Sequence, residues 1–130
     1  MGKIDASHRQ LIEEVGLCYV ATASSSGVPN VSPKGSIAVF DEDHLVFADI
    51  MSPGTRKNLQ ENPRITVLVC NPEKVLGYQF QGTAELSQEG EVFEMLVRKI
   101  EEKKIPVPPP VNAVTVKVEE VRTLAEKRDA

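Results

Sequence analysis

The fold is decided by RITVLVCNPEKVLGYQFQGTAEL, residues 64–86, which contains two strand patterns joined by a turn. In its first part, RITVLVC, the residues Ile65, Val67 and Val69 recur at every second position, as on one face of a β-strand. Its last part, YQFQGTAEL, alternates in the same way, and NPEKVLG between them has the composition of a turn. The stretch therefore predicts two neighbouring antiparallel strands.

Further strand patterns lie on both sides of this pair. They are LCYVATAS (17–24), VSPKGSIAVF (31–40, interrupted near Pro33), LVFADI (45–50) and VNAVTVKVEEV (111–121). Six strands at near-regular spacing, mostly joined by turns, favour an antiparallel arrangement closed into a barrel. The sequence therefore predicts a mainly β fold, a six-stranded antiparallel barrel with short peripheral helices.

Three helices are predicted around the barrel. Asp5 caps the first, ASHRQLIEEV, and Gly16 closes it. Residues 88–104 carry an apolar stripe at helical spacing and form the clearest helix. A third helix is expected after Gly54, shorter than two turns, because Pro63 disfavours helical geometry at the residue before it.

The third helix carries its charges at the unexpected end. Thr55 is the predicted N-cap, and Arg56 and Lys57 follow it directly, although the N-terminus of a helix favours acids. The helix at 88–104 obeys the rule, with glutamates early and lysines late. Arg56 and Lys57 are either solvated surface charges or ligands of a bound anion such as a phosphate. In the second case, replacing both should leave the empty fold unchanged or slightly more stable.

Two other polar patterns also have two interpretations. Ser32, Lys34 and Ser36 alternate along one strand and indicate either a pocket lining or an exposed edge protected by Pro33 and Lys34. Gln81 and its neighbours on the same strand face either contact solvent or converge on a ligand.

Composition excludes several classes of function. The 130 residues predict a single domain, 1–130, with an N-terminal helix up to residue 16 and a polar tail at 122–130. The net charge of −4 argues against binding to nucleic acid or an anionic membrane. The chain lacks a long apolar window, a signal-peptide core and a CxxC pair, which favours a cytoplasmic protein with reduced cysteines.

The chemistry-bearing motifs are few. The two histidines, His8 and His44, are too far apart in the sequence for a histidine metal cluster, so no metal site is predicted. The chain also lacks GxSxG, GxxxxGK[ST] and GxGxxG. If the protein is an enzyme, a cofactor supplies the chemistry.

Four segments carry a resemblance to a known family. In their order along the chain, CYVATASSSGVPNVSP, LVFADI, GTRKNLQENPRITVLV and GYQFQGTAEL resemble the pyridoxamine 5′-phosphate oxidase-like family of FMN-binding split β-barrels. The resemblance covers about residues 12 to 118. It implies a six-stranded split barrel and a homodimer with two FMN sites at its interface.

The resemblance also implies which residues bind the cofactor. The implied phosphate ligands are Thr55, Arg56, Lys57 and Asn58. The implied contacts to the flavin ring come from Ser32, Pro33, Lys34, Gly35 and Ser36, from Ala48, Asp49 and Ile50 on a neighbouring strand, and from Gln81. Lys34 would stabilise negative charge on the reduced ring.

One departure from the family pattern limits the functional expectation. True pyridoxamine phosphate oxidases end in an Arg- and His-containing segment that grips the substrate phosphate, whereas this chain ends in VKVEEVRTLAEKRDA. We therefore expect an FMN-dependent oxidoreductase of unknown substrate that passes a hydride or electrons through the flavin, with FMN favoured over a deazaflavin. The alternatives are a non-enzymatic electron carrier or flavin store, and a scaffold that has lost its cofactor.

Overall fold

The computed structural model describes residues 2–124 as seven strands and three helices. In chain order the elements are α1 (Ala6–Val15), β1 (Cys18–Ala23), β2 (Pro29–Lys34), β3 (Ala38–Asp41), β4 (His44–Asp49), α2 (Pro53–Glu61), β5 (Arg64–Asn71), β6 (Leu76–Ser87), α3 (Glu91–Glu102) and β7 (Asn112–Thr123). The polar tail predicted at 122–130 begins too early, because β7 continues to Thr123. Residues 125–130 lie outside the described residues.

The seven strands form one antiparallel sheet in the order β2-β1-β5-β6-β7-β4-β3. Its two edge strands, β2 and β3, are consecutive in the chain. The four-residue step from Lys34 to Ala38 spans at most about 14 Å, so the two edges must meet there and the sheet must curl. The barrel is split because β2 and β3 pair with β1 and β4 but not with each other. The predicted mainly β, antiparallel split barrel is confirmed.

The structure has seven strands where the sequence analysis predicted six. The difference lies in residues 31–40, which the alternating pattern joined into one interrupted strand. Residues 35–37 leave the sheet, so the chain before them pairs at one edge and the chain after them at the other. Local alternation is the same in both cases, and only the pairing partners distinguish them.

The barrel interior is filled by the inward-facing side chains of its strands. Fully buried members include Val20, Phe47, Val67, Phe80 and Val116, one from each of five strands. The alternation quoted at 64–70 is confirmed, because Ile65, Val67 and Val69 are buried and their neighbours are more exposed.

Helix α1 packs at one side of this core through Leu11 and Ile12. Its predicted ends are confirmed. The Asp5 carboxylate accepts a hydrogen bond from the His8 backbone N–H at 3.0 Å, and Gly16 closes the helix at a φ of 66°.

Helix α3 covers the outer face of β4 and β7. Leu96 is fully buried there with Val46 and Ala113, and the predicted apolar stripe packs around it. The last turn of α3 is thereby held beside the β2–β3 connection. No helix within residues 2–124 is both long enough and apolar enough to span a membrane.

Helix α2 starts earlier and is longer than predicted. It begins at Pro53, with Ser52 in the N-cap position, and runs for nine residues. Thr55 therefore lies inside the first turn and is not the N-cap. Proline suits the first helical position because the N–H it lacks would have no intrahelical partner there. The predicted end is confirmed, since Asn62, which precedes Pro63, is extended.

Candidate functional site: a pocket where the barrel opens

A pocket of about 350 Å³ lies where the two edge strands meet, between the β2–β3 connection, the end of β4 and the last turn of α3. Its size falls in the range of small-molecule sites, about 300–1,000 Å³. The lining residues are Ser32, Pro33, Lys34, Gly35, Ser36, Ala48, Ile50, Met51, Ser52, Lys99, Ile100, Lys103, Ile105 and Val107.

Two of the predicted segments meet in this pocket. All five residues from Ser32 to Ser36 line it, and so do Ala48 and Ile50 at the end of β4. They converge because the short β2–β3 connection brings the end of β2 close to β3, and β3 pairs with β4. The backbone N–H of Ala48 donates to the Ser36 hydroxyl at 2.8 Å, which joins the two segments directly.

Asp49 lies between two lining residues but is itself buried behind the pocket. Its carboxylate accepts hydrogen bonds from Arg56 Nε at 2.6 Å, Arg56 Nη2 at 3.2 Å, Ser52 Oγ at 2.9 Å and Asn112 Nδ2 at 2.9 Å. Burial by itself raises the pKa of Asp49. The hydrogen bonds from Arg56, Asn112 and Ser52 and the charge of Arg56 outweigh burial and hold that pKa below its usual value.

This ion pair explains why a cation stands at the N-terminus of α2. The Asp49 side chain is 1% exposed and the Arg56 side chain 27% exposed, so Arg56 compensates a carboxylate that has left water. Its hydrogen bond to Asp49 raises the pKa of Arg56. Because of this pairing, we no longer expect the protein without ligand to keep or gain stability when Arg56 is replaced.

Lys34 is the buried cation of the pocket. Its side chain is nearly inaccessible and its ammonium donates to the Ser52 hydroxyl, which in turn donates to Asp49. Burial lowers the pKa of Lys34, and the charge of Asp49 opposes that effect. Lys34, Asp49 and Arg56 together carry one negative and two positive charges. The surplus positive charge favours an anionic ligand.

Thr55 links the first turn of α2 to the pocket lining. Its hydroxyl is buried, lies 2.7 Å from the Ser32 hydroxyl and accepts a hydrogen bond from Asn30 Nδ2 at 3.1 Å. Gly54 packs closely here, because a Cβ at this position would lie 3.0 Å from the Asn30 side-chain oxygen. The start of α2 is thus held against β2.

The remaining predicted phosphate ligands lie farther along α2. Lys57 is exposed on the helix surface. Asn58 is buried and donates through Nδ2 to the Thr22 hydroxyl at 3.1 Å, so its amide connects α2 to β1. Neither residue lines the pocket.

Gln81 lies away from the other predicted residues of the site. It borders a separate shallow depression on the outer sheet face, next to Thr66 and Ala21. The chain itself does not bring Gln81 into the pocket.

Sequence reasoning missed the contribution of α3. Lys99 Nζ donates to the backbone oxygens of Ile37 at 2.8 Å and Ser36 at 3.4 Å, and Lys103 Nζ reaches the Gly35 oxygen at 3.3 Å. By the sequence pattern alone, these lysines are charges that suit a helix C-terminus. Their spacing of four residues, which places both on one helix face, is the signal that could have raised the question.

Neither histidine lies at the pocket. His8 packs edge-on against the Tyr78 ring with centroids 4.5 Å apart, and His44 Nδ1 lies 2.7 Å from an Asp41 carboxylate oxygen. Within residues 2–124, no cluster of three or more His, Cys, Asp or Glu residues is arranged to hold a metal ion.

These features define a split β-barrel with a cationic small-molecule pocket where the barrel opens. The sequence pattern of the pyridoxamine 5′-phosphate oxidase family matches residues 4–125. The uncharacterized protein MJ0282 of Methanocaldococcus jannaschii is 34% identical over 116 residues, which cover 88% of this chain and 76% of that protein. The chain belongs to the pyridoxamine 5′-phosphate oxidase family.

Solved structures share the fold over nearly the whole chain. HupZ of Group A Streptococcus is 28% identical, with a TM-score of 0.85 and 98% of each chain covered. An FMN-binding protein of Syntrophomonas wolfei is 19% identical, with a TM-score of 0.72, covering 92% of this chain and 85% of that one.

Two further solved structures, of proteins with other names, share the same fold. HutZ, the heme storage protein of Vibrio cholerae, is 14% identical, with a TM-score of 0.70 and coverage of 92% and 94%. An F420 reductase is 18% identical, with a TM-score of 0.69 and coverage of 88% and 94%.

Proposed function

We propose that this protein binds FMN in the pocket where the barrel opens and works as an oxidoreductase that passes a hydride or electrons through the flavin. The observation that carries the proposal is the pocket, which gathers Ser32–Ser36, Ala48 and Ile50 around a buried lysine and lies beside the start of α2. The family membership supports it, and so does the shared fold of the Syntrophomonas FMN-binding protein.

The phosphate of FMN is assigned to the start of α2. The first N–H groups of a helix have no intrahelical partners and attract anions. Arg56 uses Nε and Nη2 for Asp49 and keeps further N–H donors, so it can contact the buried carboxylate and a phosphate together. Thr55, the exposed Lys57 and Asn58 complete the proposed set.

The flavin ring is assigned to the β2–β3 connection and the end of β4. The bound flavin would supply the electron-transfer chemistry, and the chain would orient it and set its electrostatic surroundings. Lys34 is the charged group for this role, because its ammonium is buried, donates to Ser52 and favours negative charge in the pocket.

The proposal includes a homodimer. Tyr19, Ala21, Val31, Pro33 and Leu68 lie on the outer face of three adjacent strands, here called the β1–β2 face. Val31 is 65% exposed and Tyr19 is 41% exposed, which is unusual for large apolar side chains that lie side by side. Pro33 belongs both to this face and to the pocket lining. A second copy packed here would lie next to the pocket and bring its own Gln81 near it.

The dimer is tested by replacing an apolar residue of the face. Val31→Asp should convert a dimer into a monomer in sedimentation velocity experiments. Val75→Asp, which alters another highly exposed valine in the β5–β6 turn, is the control and should stay dimeric. A monomeric wild-type protein would refute this part of the proposal.

A non-enzymatic electron carrier or flavin store is the alternative within the flavin class. Steady-state oxidation of NAD(P)H by FMN-loaded protein separates the two, since the carrier shows no turnover with any acceptor.

The F420 reductase of the same fold keeps a deazaflavin as an alternative cofactor. Haem is disfavoured because no histidine lines the pocket. A cytoplasmic location also belongs to the proposal, supported by the free cysteines Cys18 and Cys70.

The cofactor assignment is tested by titrating the apo-protein with FMN and with riboflavin, following flavin fluorescence. FMN should bind more tightly than riboflavin, which lacks the phosphate. Lys57→Ala should reduce this preference, whereas Lys104→Ala, an exposed lysine outside the pocket, should retain it. A colourless protein that binds neither flavin would overturn the proposed function. An unchanged preference in Lys57→Ala would overturn only the role of Lys57.

A further inference from the structure

Lys34 carries its amine in surroundings that disfavour a charge. Its side chain is nearly inaccessible, and the centre of the Phe47 ring lies 5.9 Å from its nitrogen. Within residues 2–124, no carboxylate oxygen lies within 4 Å of that nitrogen in an ion pair. A buried amine without such a partner loses its proton more readily than a solvated one. The charge of Lys34 therefore depends on groups that it does not touch.

Asp49 is connected to Lys34 through a single hydroxyl group. The Lys34 ammonium donates to Ser52 Oγ, and Ser52 Oγ donates to an Asp49 carboxylate oxygen at 2.9 Å. Ser52 and Lys34 both line the pocket, whereas Asp49 is buried behind it. A carboxylate that does not line the pocket is thus linked to a lysine that does.

The direction of these hydrogen bonds favours the charged form of Lys34. Arg56 and Asn112 also donate to Asp49, so the carboxylate stays ionised and can only accept. The one hydroxyl proton of Ser52 is used for Asp49, which leaves the lone pairs of Ser52 to face Lys34. An acceptor in that position stabilises an ammonium.

Among the described residues, the other titratable groups near Lys34 do not supply negative charge. They are the Cys18 thiol of β1, the Arg56 guanidinium of α2 and the Lys99 ammonium of α3. Burial raises the pKa of Cys18 to about 12, so this thiol is neutral at physiological pH. Burial lowers the pKa of Lys34, the charge of Asp49 is the largest effect opposing it, and Arg56 lowers it further. Asp49 is therefore the group that can keep Lys34 charged.

We propose that Asp49 is a positioning residue that keeps the Lys34 ammonium charged and fixed at the pocket wall, and that it thereby sets the preference of the pocket for reduced over oxidised FMN. The inference rests on the proposed function, because it concerns the same pocket and cofactor. A charged Lys34 favours the negative charge that a flavin gains on reduction. Asp49 acts here through Lys34, without contact to the flavin.

The first test needs no flavin. Apo-protein is acetylated with a limiting amount of acetic anhydride between pH 6 and pH 10, and peptide mass spectrometry follows Lys34, since only the uncharged amine reacts. Asp49→Asn should lower the proton affinity of Lys34 about tenfold or more, because it removes a nearby opposite charge. Glu42→Gln, at an exposed carboxylate outside the pocket, is the control and should leave it unchanged. An unchanged proton affinity in Asp49→Asn would overturn the inference.

A paired variant covers the case in which Asp49→Asn folds poorly because Arg56 has lost its partner. Asp49→Asn/Arg56→Gln removes both charges of the ion pair and leaves neither group charged without a partner. It should still lower the proton affinity of Lys34, since Asp49 affects Lys34 more than Arg56 does. A raised or unchanged proton affinity would contradict the role of Asp49.

The second test uses the FMN-loaded protein and its midpoint potential from pH 6 to pH 9. Lys34→Met should reduce the preference for reduced FMN about tenfold at pH 7, which is a fall of about 30 mV for a two-electron couple. In the Asp49→Asn background this effect of Lys34→Met should disappear at a lower pH than in the wild-type background, because Lys34 loses its proton at a lower pH there.

Two outcomes of the second test would overturn the inference. If Lys34→Met has the same effect at every pH in both backgrounds, Asp49 does not control the charge of Lys34. If Asp49→Asn changes the potential equally with and without Lys34, Asp49 acts on the flavin directly. If neither flavin binds but the acetylation of Lys34 depends on Asp49, the proposed function fails and the control of the Lys34 charge by Asp49 stands.

Discussion

Helices α2 and α3 both place a pair of cations beside the pocket, at opposite ends of the helix. In α2, Arg56 and Lys57 are the fourth and fifth helical residues, near the end where the helix dipole repels cations. In α3, Lys99 lies in the last turn and Lys103 is the C-cap residue, at the end where the dipole favours cations. The dipole rule suggests that the cations of α2, more than those of α3, need a bound anion, and the structure shows the opposite. Arg56 is paired with a buried carboxylate, while Lys99 and Lys103 donate hydrogen bonds to backbone oxygens and, within residues 2–124, form no ion pair.

The comparison shows that the helix dipole changes the free energy of a charged side chain less than a tertiary ion-pair partner does. A charge near a helix end gains or loses about 0.3–1 kcal/mol from the dipole. Leaving a buried carboxylate without its cation costs about 3–5 kcal/mol. The ion pair with Asp49 therefore contributes more to the free energy of Arg56 than its position along α2 does.

The largest expected effect comes from removing the partner of Asp49. Arg56→Ala should lower the unfolding free energy of the apo-protein by about 2–3 kcal/mol, less than for a fully buried pair because Arg56 is partly exposed. Urea denaturation measures it. Lys57→Ala, one residue further along, should have no measurable effect on stability. Equal stability of the two variants would mean that Asp49 does not need Arg56.

The second prediction concerns the pH dependence of that loss. In the wild type the pKa of Asp49 is lowered, so its contribution to stability is present at neutral pH and is lost as pH falls below about 3.8. In Arg56→Ala, burial dominates and raises this pKa, so the variant regains stability as pH falls and Asp49 becomes neutral. The difference in unfolding free energy should shrink between pH 7 and pH 4. A constant difference would exclude Asp49 as its source.

A smaller effect is expected at α3. Lys99→Met should cost about 1 kcal/mol of unfolding free energy, because the Ile37 backbone oxygen loses its 2.8 Å hydrogen bond. Lys103→Met should cost less, since its bond to the Gly35 oxygen is longer and exposed. Thermal unfolding of both variants checks the order. If Lys99→Met lowered the unfolding free energy as much as Arg56→Ala does, the proposed difference between the cations of α2 and α3 would be wrong.

The smallest effect concerns the lysine that follows the pair on α3. Lys104 has a φ of 53°, in the left-handed region that favours glycine. Lys104→Gly should raise the unfolding free energy by about 0.5 kcal/mol, because the strained conformation becomes permitted. Chemical denaturation of the apo-protein is the measurement. A destabilised variant would show that the Lys104 charge contributes more than its backbone strain costs.

Most of the fold was predictable from local patterns. The alternation in residues 64–86 predicted β5 and β6, and Asp5 and Gly16 predicted both ends of α1. The errors lie where a local pattern has two tertiary solutions. Residues 31–40 alternate equally well as one strand or as two. The N-cap of α2 could be Thr55 or Ser52, because both satisfy a local rule.

The candidate site was partly predictable for the same reason. The β2–β3 connection and the end of β4 were assigned together, and they meet in one pocket. Lys99 and Lys103 were not assigned, because no local pattern distinguishes a lysine that faces a pocket from one that ends a helix. Gln81 remains a prediction that depends on a second copy of the chain.

The sequence by itself determined most of the strand and helix pattern, the family and two of the segments that form the pocket, because these depend on periodicity and short motifs. Only the tertiary structure decided which charges are paired. Asp49 and Arg56 are seven residues apart and belong to different elements, and Lys99 meets Ile37 across 62 positions. The free energy of a charge depends on its burial and on its partner, and the fold brings both from distant parts of the chain.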